Sequence, residues 1–426
     1  MNRRTFLRTT GVAGVAGLSV AGGCLQPLGN VVGGYGDADE WRHGVGGEID
    51  AVTNGQVFGR EPWNEDGARG AVFALDAETG RREWRYGRTG GYTAYTDLVV
   101  EDAVYFGSGD DVVGNGQGEL YALEFDGSER WSREVGSVYD PPLVHDGVVY
   151  AGSNGVVRAL DATNGETLWS VDGFGHIPTV PAVTGTVYAV GKGLAGLDPD
   201  DGRVQWRYEG DGGDGMTAKV ADGVAYVESY DRLAAVADGE ELWHVDGPGF
   251  TLTVRSGHLF RRVDDRLQAL SVGTGDERWQ SEPSDLPAGA PIVVHDGVVY
   301  CGGDRLSAVD TDDWQVLWRH EVGEGEAVRS IAVDGSGTDD GTGAGDGTGT
   351  DKGSGTEDGD GDGDDHISVY AASKTRIVEV DSGGQRRWSG SVDSDVRNLF
   401  ADRRLFVGTD ESVYVLDPST DTPSTG

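Results

Sequence analysis

The stretch Pro142-Leu143-Val144, His145-Asp146-Gly147, Val148-Val149-Tyr150, then Val156 to Leu160, Asp161-Ala162-Thr163-Asn164-Gly165 and Leu168-Trp169 decides the fold. Short β-branched runs alternate with turn chemistry, which predicts three strands leading to a fourth that carries the tryptophan. Asp-Gly between two such runs favours a tight hairpin, because glycine accepts the positive φ that the turn requires. In the second turn the aspartate can accept backbone hydrogen bonds and glycine again supplies the unusual backbone angle. That role is structural, not catalytic.

The unit recurs. Leu75-Asp76-Ala77-Glu78-Thr79-Gly80 and Leu197-Asp198-Pro199-Asp200-Asp201-Gly202 repeat the second turn, and Asp222-Gly223 and Asp296-Gly297 repeat the hairpin. Nine of the 11 tryptophans keep the same register: Trp41, Trp84, Trp131, Trp169, Trp206, Trp243, Trp279, Trp318 and Trp388. A period near forty residues marks solenoids, propellers or arrays. Four short antiparallel strands per period, with no helical periodicity between them, predict an all-β chain folded as a β-propeller. Each tryptophan is then expected between its own blade and the next, burying about 150 to 250 Å². At about 25 cal/mol/Å² this is on the order of 4 to 6 kcal/mol each, an upper bound.

The phase of the two ends predicts closure. Trp41 precedes any complete unit, whereas the last unit runs from Val396 through Ser412-Val413-Tyr414-Val415-Leu416-Asp417 without a tryptophan strand. Pairing the N-terminal strand with the C-terminal one would build one blade from both termini and remove two sheet edges. The count is then nine four-stranded blades within residues 41–417.

Leu-Asp-Ala-Glu-Thr-Gly-Arg-Arg-Glu-Trp from Leu75 and Leu-Asp-Ala-Thr-Asn-Gly-Glu-Thr-Leu-Trp from Leu160 resemble pyrroloquinoline-quinone-type (PQQ-like) propeller repeats. The resemblance spans nearly the whole mature chain and implies eight blades, the common number in the family, so the expected range is eight to nine. It also implies two kinds of function: quinoprotein dehydrogenases, and a cofactor-free lipoprotein that assists outer-membrane protein assembly. A dehydrogenase of this kind would hold quinone, calcium and an aspartate base in the central channel, commonly beside adjacent cysteines. Cys24 and Cys301 are the only cysteines, and they are far apart. The eight histidines are scattered, and His145 and His295 recur in an identical VHDGVVY segment at hairpin turns. No catalytic, cofactor-binding or metal-binding residue is nominated. Two units depart from the pattern: Leu123-Glu124-Phe125-Asp126-Gly127 shortens the second turn, and Trp314 replaces its glycine.

The N-terminus reads as address. Arg3 and Arg4 precede an apolar run from Gly11 to Val20, which resembles a twin-arginine export signal. Ala21-Gly22-Gly23-Cys24 is similar to a lipoprotein processing site with Cys24 as the lipidated residue. The apolar run is far short of the roughly twenty residues a membrane span needs. The expected organisation is a signal over 1–23, a tether over 24–40, the propeller over 41–417 and a tail over 418–426. The expected location is the outer face of the cytoplasmic membrane, held by lipid.

Charge narrows the partners. The chain carries 73 acidic and 34 basic side chains, a formal charge of −39, and resembles a halophilic archaeal surface whose carboxylates stay hydrated in brine. Nucleic acid, which needs a basic face, is excluded as a partner. An insert over 335–365, built of Gly, Asp, Thr and Ser, interrupts the eighth unit after Val333 and cannot bury a core. Asp358-Gly359-Asp360-Gly361-Asp362-Gly363 is similar to the start of a calcium loop, but the twelfth position is Val369, not a bidentate glutamate. The sequence therefore predicts a monomeric, non-catalytic, lipid-anchored propeller that binds an envelope or secreted protein or an extracellular ligand through its loops. A quinone-dependent oxidoreductase is the alternative, and a solute-binding lipoprotein the third reading.

Overall fold

The computed structural model describes residues 39–44, 46–61, 70–87, 94–109, 118–175, 178–210, 216–282, 291–334, 367–402 and 404–417. Arg3, Arg4 and Cys24, the tether up to residue 38, the 335–365 insert and the 418–426 tail lie outside these residues.

Nine antiparallel sheets follow one another along the chain and form a nine-bladed propeller. Blades 1 to 9 begin with the strands Glu48–Thr53, Ala94–Tyr95, Leu143–His145, Thr179–Val183, Thr217–Ala221, Phe250–Arg255, Ile292–His295, Ser330–Asp334 and Val396–Asp402. Each blade is a four-stranded meander, except that blade 2 splits its first strand into Ala94–Tyr95 and Val99–Val100. Closure runs as the phase of the termini predicts: Asp39–His43 pairs with Val413–Leu416, Trp41 opposite Val415, and becomes the outer strand of blade 9. First strands of neighbouring blades approach one another, so the first strand is the inner one and the tryptophan strand the outer one.

Hairpin and turn define one face of the ring. Asp146 (φ 48°) and Gly147 (φ 76°) both take the left-handed conformation, as a type I′ hairpin demands. The Asp76 carboxylate accepts from Thr79 N at 2.7 Å and Thr79 Oγ1 at 2.6 Å, which holds its carboxyl below the usual carboxylate range. Ala77 N donates to Gly55 O at 2.8 Å and Ala162 N to Gly147 O at 2.9 Å, tying turn to hairpin within a blade. The opposite face carries the loops between second and third strands and the linkers between blades. We call these the hairpin face and the linker face. Asp334 and Ser368 pair at the hairpin-face ends of the first and second strands of blade 8.

The tryptophans join blade to blade. Trp41 Nε1 donates to Ala77 O at 3.0 Å, Trp131 to Ala162 O at 2.9 Å, Trp169 to Pro199 O at 2.8 Å and Trp243 to Val272 O at 2.9 Å. In each case the acceptor is in the second turn of the next blade, and Trp41 of blade 9 reaches blade 1. Trp84 and Trp318 do the same to Phe125 O and Ser382 O. The turn glycine lies flat on the indole: a Cβ at Gly80 would stand 2.3 Å from the Trp41 ring. Blade 7 solves the problem differently. Trp314 takes the glycine position at φ 61° and stacks on Trp279, centroids 5.8 Å apart and planes 14° apart. Stacking there offsets the cost of a left-handed non-glycine residue.

Candidate functional site

Nine copies of one unit act as their own control, so a buried charge that breaks the pattern stands out. The residue paired with the outer-strand tryptophan is alanine in six blades, Gly196 in blade 4 and Val415 in blade 9. In blade 8 it is Glu379. Burial pushes that carboxyl up, and Ser368 Oγ donates to it at 2.7 Å.

The second strands show two further breaks. Each carries a core aromatic followed by small or apolar residues, as in Tyr150-Ala151-Gly152 and Tyr300-Cys301-Gly302. Blade 1 instead has Phe58-Gly59-Arg60. The Arg60 guanidinium bonds Asp50 at 2.9 Å, Glu48 at 2.8 Å and Asp97 of blade 2 at 2.6 Å. Burial pushes Asp50 from 3.8 up to about 7, against the pull of Arg60 and with Asp97 and Glu48 adding to the rise. Folded Asp50 thus keeps a proton that the unfolded chain releases near pH 4. Its contribution to stability is complete below that pH and is lost as pH rises toward about 7. Asp50→Asn is expected to flatten the pH dependence of the denaturation midpoint across this window. Equal slopes in variant and native protein would contradict the assignment.

The third break lies between blades 5 and 6. Glu228 follows Tyr226-Val227, Arg261 follows Phe260, and the two side chains meet across the blade interface. Arg261 Nη2 donates to Glu228 Oε1 at 2.7 Å, with the side chains 2 % and 4 % exposed. The same nitrogen donates to Gly247 O at 3.2 Å. Arg261 Nε is buried with no acceptor among the described residues. Gly249 rests against the guanidinium, where a Cβ would come within 2.0 Å of Nη2. Gly247 N donates to Asp231 O at 2.8 Å. The ion pair therefore fixes the linker 247–249 against the 229–231 loop. A buried pair of this kind contributes little net stability, so the linker it positions is the feature to explain.

What that linker displays is apolar. Tyr230 is 87 % and Phe250 50 % exposed, with Pro248 exposed between them in the chain. Among the described residues the other large exposed apolar side chains are Leu168, Leu242, Val316 and Leu317, on outer strands, and Tyr139. The three exposed aromatics among the described residues, Tyr139, Tyr230 and Phe250, occupy linkers, loops or strand starts of the linker face. Asp231, Asp246, Asp264 and Asp265 are exposed in the linker-face segments beside these residues, and the half-buried Arg262 pairs opposite Phe250.

The residues singled out in the sequence lie elsewhere. His145 and His295 sit at hairpin turns, each 3.4 Å from the aspartate that follows it. Cys301 is buried as a thiol in the core between blades 6 and 7. Among the described residues no group of three or more His, Cys, Asp or Glu is placed to hold a metal ion. Both carboxylate oxygens of Asp50 accept from Arg60 Nε. Glu228, Arg261, Tyr230 and Phe250 were not singled out in the sequence. Stacking the nine second strands in register would have exposed the first two: the Arg261 position is small or apolar in the other eight blades, and the Glu228 position, which holds Arg60 and Arg262 in blades 1 and 6, carries a carboxylate only in blade 5.

Comparison with known proteins agrees with the repeat. A family model described as outer membrane protein assembly factor BamB matches residues 109–218 and 191–424. The assembly factor BamB of Yersinia pestis is 26 % identical over 339 residues, covering 73 % of this chain and 80 % of that protein. The serine/threonine-protein kinase AfsK of Streptomyces griseus is 30 % identical over 181 residues, 36 % of this chain but 22 % of the kinase. In fold, the quinohemoprotein alcohol dehydrogenase of Comamonas testosteroni superposes with a TM-score of 0.52 at 14 % identity, covering 91 % of this chain and 78 % of the dehydrogenase. With a family model matched over most of its length, the chain belongs to the PQQ-like propeller-repeat family described as outer membrane protein assembly factor BamB.

Proposed function

We propose that this chain is a non-catalytic scaffold that binds an envelope protein through the linker face of its propeller. Twin-arginine export and a lipid on Cys24 would hold it at the outer face of the cytoplasmic membrane, with the ring in reach of newly exported proteins. The observation that carries the reading is the placement of Tyr230 and Phe250, exposed on the linker face, above an ion pair that orders the adjoining linker instead of a reaction centre. Exposed aromatics with a polar surround are the usual anchors of protein interfaces. BamB relatives are named for assembly of outer membrane proteins, which supports a role in handling envelope proteins.

Calorimetry with pyrroloquinoline quinone and calcium tests the class. The scaffold reading expects no saturable heat and no oxidation of alcohols or sugars. Tight binding accompanied by turnover would replace it with a quinone-dependent oxidoreductase.

A further inference from the structure

The patch between blades 5 and 6 has a chemistry of its own, and giving it a partner rests on the linker face being the docking surface. Its centre is Tyr230, Pro248 and Phe250, exposed and apolar. Its surround is Asp231 from the blade 5 loop, Asp246 from the end of the outer strand, and Asp264-Asp265 from the blade 6 loop. Asp246 is 84 % exposed, with His244 at 3.9 Å. Beneath lies the Glu228–Arg261 pair, which contributes no net charge and fixes the linker through Gly247 O.

From this arrangement we infer that the blade 5–6 patch takes a partner-protein segment that presents apolar side chains flanked by arginine or lysine. An apolar anchor alone would fit any greasy segment; the four aspartates reject acidic flanks and favour basic ones. The linker, tied at Gly247 by Arg261 and by Asp231, adds preorganisation to the backbone that presents Phe250. The other linker-face aromatic, Tyr139, stands in the linker between blades 2 and 3 and provides an internal control.

The test uses the full chain and two dye-labelled peptides, each with Leu-Phe-Leu at its centre, flanked by arginines in one and glutamates in the other. Fluorescence anisotropy should show binding of the arginine-flanked peptide and at least about tenfold weaker binding of the glutamate-flanked one. Tyr230→Ser with Phe250→Ser should weaken the first at least about tenfold, whereas Tyr139→Ser should leave it unchanged. At about 1 M salt, where the screening length falls to about 3 Å, the difference between the peptides should narrow while the effect of the double variant persists. Equal binding of both peptides at low salt, unchanged binding by the double variant, or no binding of the arginine-flanked peptide would each overturn the inference. Loss of binding in Tyr139→Ser alone would also overturn it, moving the site to blades 2 and 3 while leaving the scaffold reading in place.

Discussion

Deleting Asp39–His43 should abolish the folded ring, although it removes five residues of 426. These residues are the outer strand of blade 9, and without them Val413–Leu416 becomes an open edge. Trp41, 5 % exposed, is lost with its bond to Ala77 O, and so is the seam between blades 9 and 1. Replacing a buried tryptophan by alanine alone costs about 3 to 5 kcal/mol. Removing the strand and its backbone pairing as well should consume most of the 5 to 15 kcal/mol, roughly, by which a domain is stable. Size exclusion and thermal circular dichroism should show an expanded or aggregated chain with no cooperative melt. An unchanged midpoint would mean that the ring closes some other way.

Arg261→Ala should be the most damaging single substitution at the candidate site. It leaves Glu228 buried beside an empty space, and breaking a buried pair by removing one partner costs about 3 to 5 kcal/mol. Replacing both by alanine installs what blade 8 carries in the same two columns, Ala371 and Ala372. The double variant should therefore recover most of the lost stability, a coupling that a double-mutant cycle in urea measures directly. It should not recover peptide binding, because Gly247 O has lost its donor and the linker its support. Losses that simply add would show that the pair is not coupled.

The fold was legible because it repeats. Each Asp-Gly hairpin and each Leu-Asp-x-x-x-Gly turn is a local signal with a backbone cause, and the tryptophans keep phase with them. The unmatched ends, the strand around Trp41 and the strand ending at Leu416, were enough to predict that the two pair. Trp314 was visible as a departure, but its left-handed backbone and its stack on Trp279 belong to three-dimensional packing between blades 6 and 7. The candidate site was less legible for the opposite reason. Tyr230 and Phe250 lie in segments whose sequences follow no period, and nothing local marks either as exposed. Glu228 and Arg261 are 33 positions apart and look like two charges among many, until the register places both in a buried interface.

If the tryptophans hold the ring together while the linker face of blades 5 and 6 meets the partner, capture of that partner should depend on Tyr230 and Phe250 and not on the stability of the ring. Affinity capture from the membranes of cells producing the chain, comparing native protein with Tyr230→Ser/Phe250→Ser at matched melting temperature, separates the two. A defined envelope protein should be recovered with the native chain and depleted at least about tenfold with the double variant. The same protein recovered equally with both would contradict this division between packing and binding.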